Sequence, residues 1–182
     1  MPQATRRPNV IVFFTDQQRW DSTGVHGNPL ALTPNFDRLA RQGVDVHYSF
    51  TCQPVCGPAR SCLQTGMYAT QTGVWKNSRA LAADAKTLAH YFAEAGYATG
   101  YIGKWHLAST DPVPQAERGG YDYWLASNLL EFTSGPYDLV MYDNDNQPVK
   151  LPGYRVDAQT DAAIRYIDAH QTEPFFLFLS YI

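Results

Sequence analysis

The chain has 182 residues, of which 45% are hydrophobic and 17% are charged. This composition is typical of a globular protein, and the length suits one domain with a sizeable core. The formal net charge is -3 and no run of Lys or Arg forms a basic patch, which argues against a nucleic-acid partner. No apolar stretch is long enough to span a membrane, so we expect no membrane partner either.

The first residues, Met1 to Pro8, include two arginines, but the apolar segment of a signal peptide does not follow them. Val10 to Phe14 is too short for that purpose and continues directly towards Asp16. We therefore predict a cytoplasmic protein of bacterial type, with periplasmic export through a trimmed leader as the alternative.

The chain has three cysteines, Cys52, Cys56 and Cys62, and this low, odd number argues against a disulfide framework. The five histidines are scattered and do not form the ligand pairs of a zinc cluster. Either at least one cysteine is present for its chemistry, or all three are small buried hydrophobic residues.

The first predicted element is a strand from Val10 to Phe14, a β-branched and aromatic run typical of a strand buried on both faces of a parallel sheet. Asp16 follows at its carboxyl end, where ligands and catalytic groups gather in open α/β sheets. Thr33 and Pro34 then predict the start of a helix that Gly43 ends, with Thr33 as its cap.

Strands and helices alternate along the rest of the chain, which predicts an α/β fold with a largely parallel sheet. The patterns predict, in order, a strand from Val44 to Phe50, a helix from Cys56 to Gly66, an amphipathic helix from Thr87 to Ala95, a strand from Tyr97 to Ile102, a helix from Asp157 to His170 with Ala162, Ile164, Tyr166 and Ile167 mostly inward, and a buried strand from Phe175 to Leu179.

The stretch from Ala108 to Pro152 is rich in Pro, Gly, Asp and Asn, and we expect long loops or small strands there. Its side chains could shape a sugar or aryl pocket or pack within solvated loops: Tyr121, Tyr123, Trp124, Glu131, Tyr137 and Asp143. The chain stops at Ile182 directly on an apolar strand, which predicts a fragment of a longer protein; a strand that closes the domain is the alternative.

Three predicted element ends carry polar groups that we expect to converge: Asp16, Cys56 with Arg60, and Lys104 with His106. A carboxylate can hold a hard cation, and a helix N-terminus favours an anion. The set predicts a site for a tetrahedral oxyanion beside a metal ion. Taken singly, these residues have ordinary interpretations as a helix cap, a surface lysine or a structural histidine.

Four segments resemble elements of the sulfatase family, in the family's order. Cys56-Gly57-Pro58-Ala59-Arg60, with Thr65-Gly66, resembles the signature Cys-x-Pro-[Ser/Ala]-Arg…Thr-Gly. Gly96 to His106 is similar to the second signature, Gly-Tyr-x-Thr…Gly-Lys-x-His. Asn9 to Asp16 resembles the first strand, and Thr33 to Asp37 resembles the Thr-Pro-Asn-Leu-Asp element. The resemblance implies an alkaline-phosphatase-like fold, with residues 1–182 as the N-terminal part of a single catalytic domain.

The resemblance also implies a sulfuric ester hydrolase in which a formylglycine-generating enzyme converts Cys56 to formylglycine, whose hydrate is the nucleophile. Asp16 and the modified Cys56 resemble ligands of a divalent metal, Ca²⁺ or alternatively Mn²⁺. Arg60 resembles the group that holds the diol, Lys104 the cation that binds sulfate, and His106 the partner that handles the diol proton. The implied substrate is a small-molecule or glycan sulfate ester.

One departure from the family is Gln17, which stands where many sulfatases have a second aspartate after Asp16. An amide oxygen ligates more weakly than a carboxylate, which keeps Mn²⁺ open beside Ca²⁺. The family's downstream metal ligands, histidine and lysine have no match before Ile182, so we expect the isolated chain to be inactive. A phosphonate or phosphate ester hydrolase on the same fold and a non-catalytic fragment are the alternatives.

Overall fold

The computed structural model describes residues 7–182, and a six-stranded sheet forms its centre. Most of the segment on which the signal-peptide prediction rests therefore lies outside the described residues. The strands are β1 (Val10–Phe14), β2 (Ala98–Lys104), β3 (Tyr123–Ser127), β4 (Leu139–Tyr142), β5 (Pro148–Leu151) and β6 (Phe175–Ser180), in the spatial order β1-β6-β2-β3-β4-β5.

Strands β1, β6, β2 and β3 run parallel to one another, whereas β4 and β5 add an antiparallel edge. The prediction of an α/β fold with a largely parallel sheet is confirmed, with this hairpin as an addition. Because the four parallel strands point the same way, their carboxyl ends meet at one edge, where ligands bind in open α/β sheets.

The helices connect the strands and flank the sheet. They are α1 (Pro34–Gln42), α2 (Cys56–Thr65), α3 (Ala69–Thr72), α4 (Leu88–Glu94), α5 (Leu130–Thr133) and α6 (Arg155–Ala169). The predicted helices after Thr33, from Cys56, before Gly96 and before His170 are all present. Thr33 occupies the N-cap position of α1, but its hydroxyl bonds the Asp37 carboxylate rather than a backbone N–H of the helix. Within the described part of the chain, no helix is long and apolar enough to cross a membrane.

The core has two parts, one on each face of the sheet, and strand β6 contributes to both. Phe175, Leu177 and Leu179 pack in one cluster with Tyr166 of α6. Phe176 and Phe178 pack in the other, with Tyr101, Trp105, Trp124 and further aromatic and aliphatic residues. Alternate side chains of a strand point to opposite faces, so β6 is buried on both faces as its apolar run predicts.

Strand β1 contradicts the prediction of burial on both faces. It lies at the edge of the sheet, and the side chains of Ile11 and Phe13 are 46% and 64% exposed. An apolar run indicates a strand but does not say whether another layer of this chain covers its second face.

The predicted strand from Val44 to Phe50 is absent: the segment is irregular, and Val44 and Phe50 are each 90% exposed. Its alternating pattern has no partner strand among the described residues. Ile164, predicted to face inward, is also exposed, because the neighbouring Ala163 and Tyr166 occupy the face of α6 that packs on the sheet.

Candidate active site

The carboxyl ends of three parallel strands bring polar groups together. Asp16 follows β1, Lys104 ends β2 and Ser180 ends β6. The first residue of α2, Cys56, lies beside them, with its sulfur 3.6 Å from Asp16 Oδ1. These groups therefore lie together at the carboxyl edge of the parallel strands, where ligands bind in this class of sheet.

Gly103 sets how closely β2 approaches β6 at this edge. Its φ of 113° is a backbone conformation that residues with a side chain rarely adopt. A Cβ at this position would also collide with the Ser180 carbonyl and the Gln159 amide. Only glycine therefore lets the strands meet as they do immediately before Lys104.

Arg60 ties the three strand ends together from helix α2. Its Nη2 donates to Asp16 Oδ2 at 2.9 Å, and its Nη1 donates to the Lys104 carbonyl and to Ser180 Oγ, both at 2.7 Å. The Tyr101 hydroxyl donates to the same Lys104 carbonyl at 2.6 Å. Arg60 is 3% exposed, so these charge-assisted bonds form in a poorly solvated environment, where they are strong.

The Lys104 ammonium lies between two carboxylates. Nζ is 3.1 Å from Asp16 Oδ2 and 2.7 Å from Glu131 Oε1, and the residue is 3% exposed. Burial would raise the pKa of Asp16, but the hydrogen bond from Arg60 and the charge of Lys104 outweigh it and lower the pKa below its usual value. Asp16 is therefore a carboxylate at neutral pH.

Cys56 faces open space at the start of helix α2. It lines a cavity of about 860 Å³ together with Asp16 and Arg60, and a second of about 580 Å³ together with Lys104 and Glu131. The neighbouring Gly57 N–H donates to Asn77 Oδ1 at 2.9 Å. A side chain at position 56 thus has both a carboxylate neighbour and room for a ligand.

His106 follows Lys104 by two residues, and a backbone hydrogen bond holds it in place. Its N–H donates to the Asn128 carbonyl at 2.8 Å, and its φ is 59°. The imidazole is 8% exposed, and its buried Nδ1 has no hydrogen-bond partner among residues 7–182. Burial, helped by the charge of Lys104, lowers the pKa of His106 from 6.5 to about 4. The ring is therefore neutral at neutral pH, because burial disfavours its protonated form.

All five residues singled out in the sequence lie at this edge of the sheet. Asp16 directly contacts Cys56, Arg60 and Lys104, whereas the imidazole of His106 lines neither cavity. Over the described residues, no group of three or more His, Cys, Asp or Glu side chains is arranged to hold a metal ion. The predicted ligands Asp16 and Cys56 are neighbours, but they do not complete a metal site.

Sequence reasoning missed three groups of the site and underused a fourth. Ser180 is the first polar residue after the apolar run of β6, a signal that could have identified it. Asn77 and Tyr101 carry no motif that distinguishes them. Glu131 was considered only as a possible pocket residue, because nothing in a loop-rich region reveals that a four-residue helix points it at Lys104.

A comparison with models of protein families establishes which family the chain belongs to. The family model for sulfatases matches residues 8–182. The chain belongs to the sulfatase family. The ulvan-active sulfatase of Formosa agariphila is 36% identical over 96% of this chain.

Solved structures agree with this membership. BT4656, in complex with its substrate D-glucosamine-2-N,6-O-disulfate, superposes with a TM-score of 0.85 at 29% identity over 97% of this chain. The phosphonate monoester hydrolase of Agrobacterium radiobacter shares the fold, with a TM-score of 0.66 at 23% identity over 97% of this chain. The sulfatase sequence spans only part of these proteins: 35% of the Formosa enzyme, 34% of BT4656 and 41% of the hydrolase.

Proposed function

We propose that this chain belongs to a catalytic domain that hydrolyses sulfate monoesters through a formylglycine made from Cys56. The observation that carries the proposal is the cluster of Cys56, Asp16, Arg60 and Lys104 at one cavity edge in a member of the sulfatase family. Two cationic side chains and the N-terminus of α2 favour a tetrahedral anion beside residue 56.

Position 56 suits an oxygen-bearing side chain. Formylglycine in its hydrated form supplies two hydroxyls on one carbon, one to attack sulfur and one to expel sulfate afterwards. Asp16 Oδ1, near the Cys56 sulfur, can accept a hydrogen bond from such a hydroxyl. The proposed partner in maturation is a formylglycine-generating enzyme that reads the segment around Cys56, Pro58 and Arg60.

The roles of the cationic groups follow from their contacts. Arg60 is proposed to hold the diol, and its bonds to the Asp16 carboxylate and the Lys104 carbonyl also fix these two residues beside position 56. The Lys104 ammonium neutralises charge that develops on the sulfuryl oxygens. His106 keeps the role that the family resemblance implies, which is to handle the diol proton; its imidazole is neutral at neutral pH, and burial disfavours its protonated form.

A divalent cation is part of the proposal, with Ca²⁺ first and Mn²⁺ second. Asp16 Oδ1 is the donor that fits, because its hydrogen-bond neighbour is Cys56 rather than a cation, whereas Oδ2 already contacts Arg60 and Lys104. Residue 56 in its modified form would add a second oxygen. Such a cation would polarise a sulfuryl oxygen when bound. Residues 7–182 contain no group of three potential ligands, so this chain contributes only part of the shell.

A glycan sulfate is the proposed substrate class, because BT4656 is described with a sulfated sugar as its substrate and another relative is an ulvan-active sulfatase. A small-molecule sulfate ester is the alternative. Phosphonate or phosphate ester hydrolysis is the second candidate function, because a phosphonate monoester hydrolase shares the fold and both oxyanions are tetrahedral. We further propose a cytoplasmic location.

Sulfate release by the mature full-length protein tests the proposal. We expect hydrolysis of a sulfated sugar or aryl sulfate, with a slower rate on the matching aryl phosphonate, and loss of both in Cys56→Ala. Cys52→Ala is the matched control, because it also removes a free cysteine, but one without a hydrogen bond to Asp16 in the described part of the chain. A wild-type protein that carries formylglycine but releases no sulfate from any of these esters would refute the proposal. The isolated chain should show no turnover, because part of the proposed shell of metal ligands is missing from it.

A further inference from the structure

Glu131 is a second carboxylate that contacts the Lys104 ammonium, and it comes from a different part of the fold than Asp16. Its Oε1 is 2.7 Å from Lys104 Nζ, a shorter contact than the 3.1 Å to Asp16 Oδ2. Glu131 also lines the 580 Å³ cavity together with Cys56. An acidic side chain beside a site built for an anion requires an explanation, because it repels the anion.

Charge balance gives the first part of that explanation. Arg60 and Lys104 are both 3% exposed, and both contact the single carboxylate of Asp16. A buried cation without its own counter-charge is costly. Glu131 supplies a second negative charge, so that two cations meet two carboxylates in the cluster.

The geometry of the ammonium gives the second part. A lysine ammonium has three N–H donors. Asp16 and Glu131 are each within bonding distance of Nζ, which fixes the ammonium from two sides and leaves one donor for a ligand. With Asp16 as its single partner, the ammonium could rotate around that one contact and change its position.

Glu131 is itself held by its surroundings. The Asp111 carboxylate accepts the N–H groups of Asn128 at 2.8 Å and Leu129 at 3.0 Å, which fixes the turn that leads into α5. Leu130, the first residue of that helix, is fully buried in the core. Glu131 Oε1 accepts a hydrogen bond from Lys104 Nζ, whereas Oε2 is buried and has no hydrogen-bond partner among the described residues.

We propose that Glu131 is a positioning residue that fixes the Lys104 ammonium beside residue 56. It acts through Lys104 and does not itself contact the reacting atoms. The consequence for catalysis rests on the proposed sulfate ester hydrolysis. The positioning itself does not, so the two can be tested separately.

The direct test follows the ammonium by NMR. The chain has four lysines, of which Lys76, Lys86 and Lys150 are exposed, so Lys104 should give the protected ammonium signal in an ¹⁵N-lysine-labelled sample. We expect proton exchange of this ammonium to be at least about tenfold faster in Glu131→Ala, and partly restored in Glu131→Gln, whose amide oxygen still accepts a hydrogen bond. Glu94→Gln, which alters the exposed ion pair with Lys86, is the matched control and should leave Lys104 unchanged.

The kinetic test uses the mature full-length protein. We expect Glu131→Ala to lower kcat by about 10-fold to 100-fold, because small misplacements of a group that stabilises the transition state carry such penalties, while KM changes less than about threefold. Glu131→Gln should recover part of kcat, which a loss of folded protein would not produce.

The outcomes separate the two proposals. Unchanged Lys104 exchange in a folded Glu131→Ala protein, judged by the near-ultraviolet signal of buried Trp105 and Trp124, overturns the positioning role. If Glu131→Ala does not fold, the Glu131→Gln variant provides the test of the positioning role. Proton exchange of the Lys104 ammonium as slow as in wild type, together with a wild-type kcat, would contradict that role. A wild-type protein without sulfatase activity refutes the proposed function only, because the exchange measurement does not depend on it.

Discussion

The neutral, buried His106 predicts how the stability of this chain depends on pH. Burial and the neighbouring Lys104 lower the pKa of the folded-state imidazole to about 4, from 6.5. In the unfolded chain the imidazole returns to about 6.5. Between these two pH values the unfolded state binds more protons than the folded state, so the free energy of unfolding decreases as the pH falls through this window.

The two pKa values set the magnitude. At pH 4.5 protonation of the unfolded imidazole favours unfolding by about 2.6 kcal/mol, and at pH 7.5 by only about 0.1 kcal/mol. The His106 contribution to the free energy of unfolding should therefore decrease by about 2.5 kcal/mol across this range. Asp16 acts in a lower window, because its pKa is held below the usual 3.8 and its contribution is lost as the pH falls through that lower value.

Urea unfolding followed by tryptophan fluorescence measures the effect, because Trp105 and Trp124 are each 1% exposed. Wild type and His106→Gln are compared at several pH values from 4.5 to 7.5. Glutamine does not titrate, so the difference between the two curves isolates His106 from the other four histidines. We expect wild type to lose about 2.5 kcal/mol more than His106→Gln on acidification.

Two parallel stability curves would refute the reasoning, since they would mean that His106 has the same pKa in the folded and unfolded chain. A wild-type curve that falls less steeply than that of His106→Gln would contradict it more strongly. That result would require a raised pKa and a protonated ring beside Lys104.

Further predictions concern the backbone and the ion pairs of the site. Gly103→Ala should lower the free energy of unfolding by more than about 3 kcal/mol, because the added Cβ would collide with the β6 backbone. Gly27→Ala, at a φ of 94° in open space, should lower it by only about 1–2 kcal/mol. Equal losses for the two variants in urea unfolding would refute the role of close strand contact. Arg60→Ala should cost about 3–5 kcal/mol, because it removes a buried cation that bonds the Asp16 carboxylate, the Lys104 carbonyl and the Ser180 hydroxyl, and thermal unfolding should detect the loss. Arg19→Ala breaks an exposed ion pair with Asp21 and should leave the midpoint unchanged; similar shifts in both variants would contradict the assignment of Arg60 as the central tie.

Local patterns predicted the elements that position the site, because those elements follow from short-range chemistry. The apolar run of β6, the Pro34 start of α1 and the Gly66 end of α2 each have a physical cause within a few residues. The convergence of Asp16, Arg60 and Lys104 could also be predicted, since parallel strand ends share an edge.

Features that depend on distant parts of the chain escaped prediction. The exposure of Phe13 depends on which layers cover β1, and the irregular backbone from Val44 onward depends on the absence of a partner strand in the described part of the chain. Glu131 reaches Lys104 across 27 residues of sequence, from a helix too short to have a recognisable pattern. No local signal encodes such a contact.

The mass of the peptide that contains Cys56, after coexpression of the protein with a formylglycine-generating enzyme, tests the central claim most directly. Conversion of the thiol to the aldehyde lowers the mass by about 18 Da. We predict this decrease at position 56, with Cys52 and Cys62 unmodified. A Cys56 that keeps its full thiol mass in a protein that still releases sulfate would contradict the account.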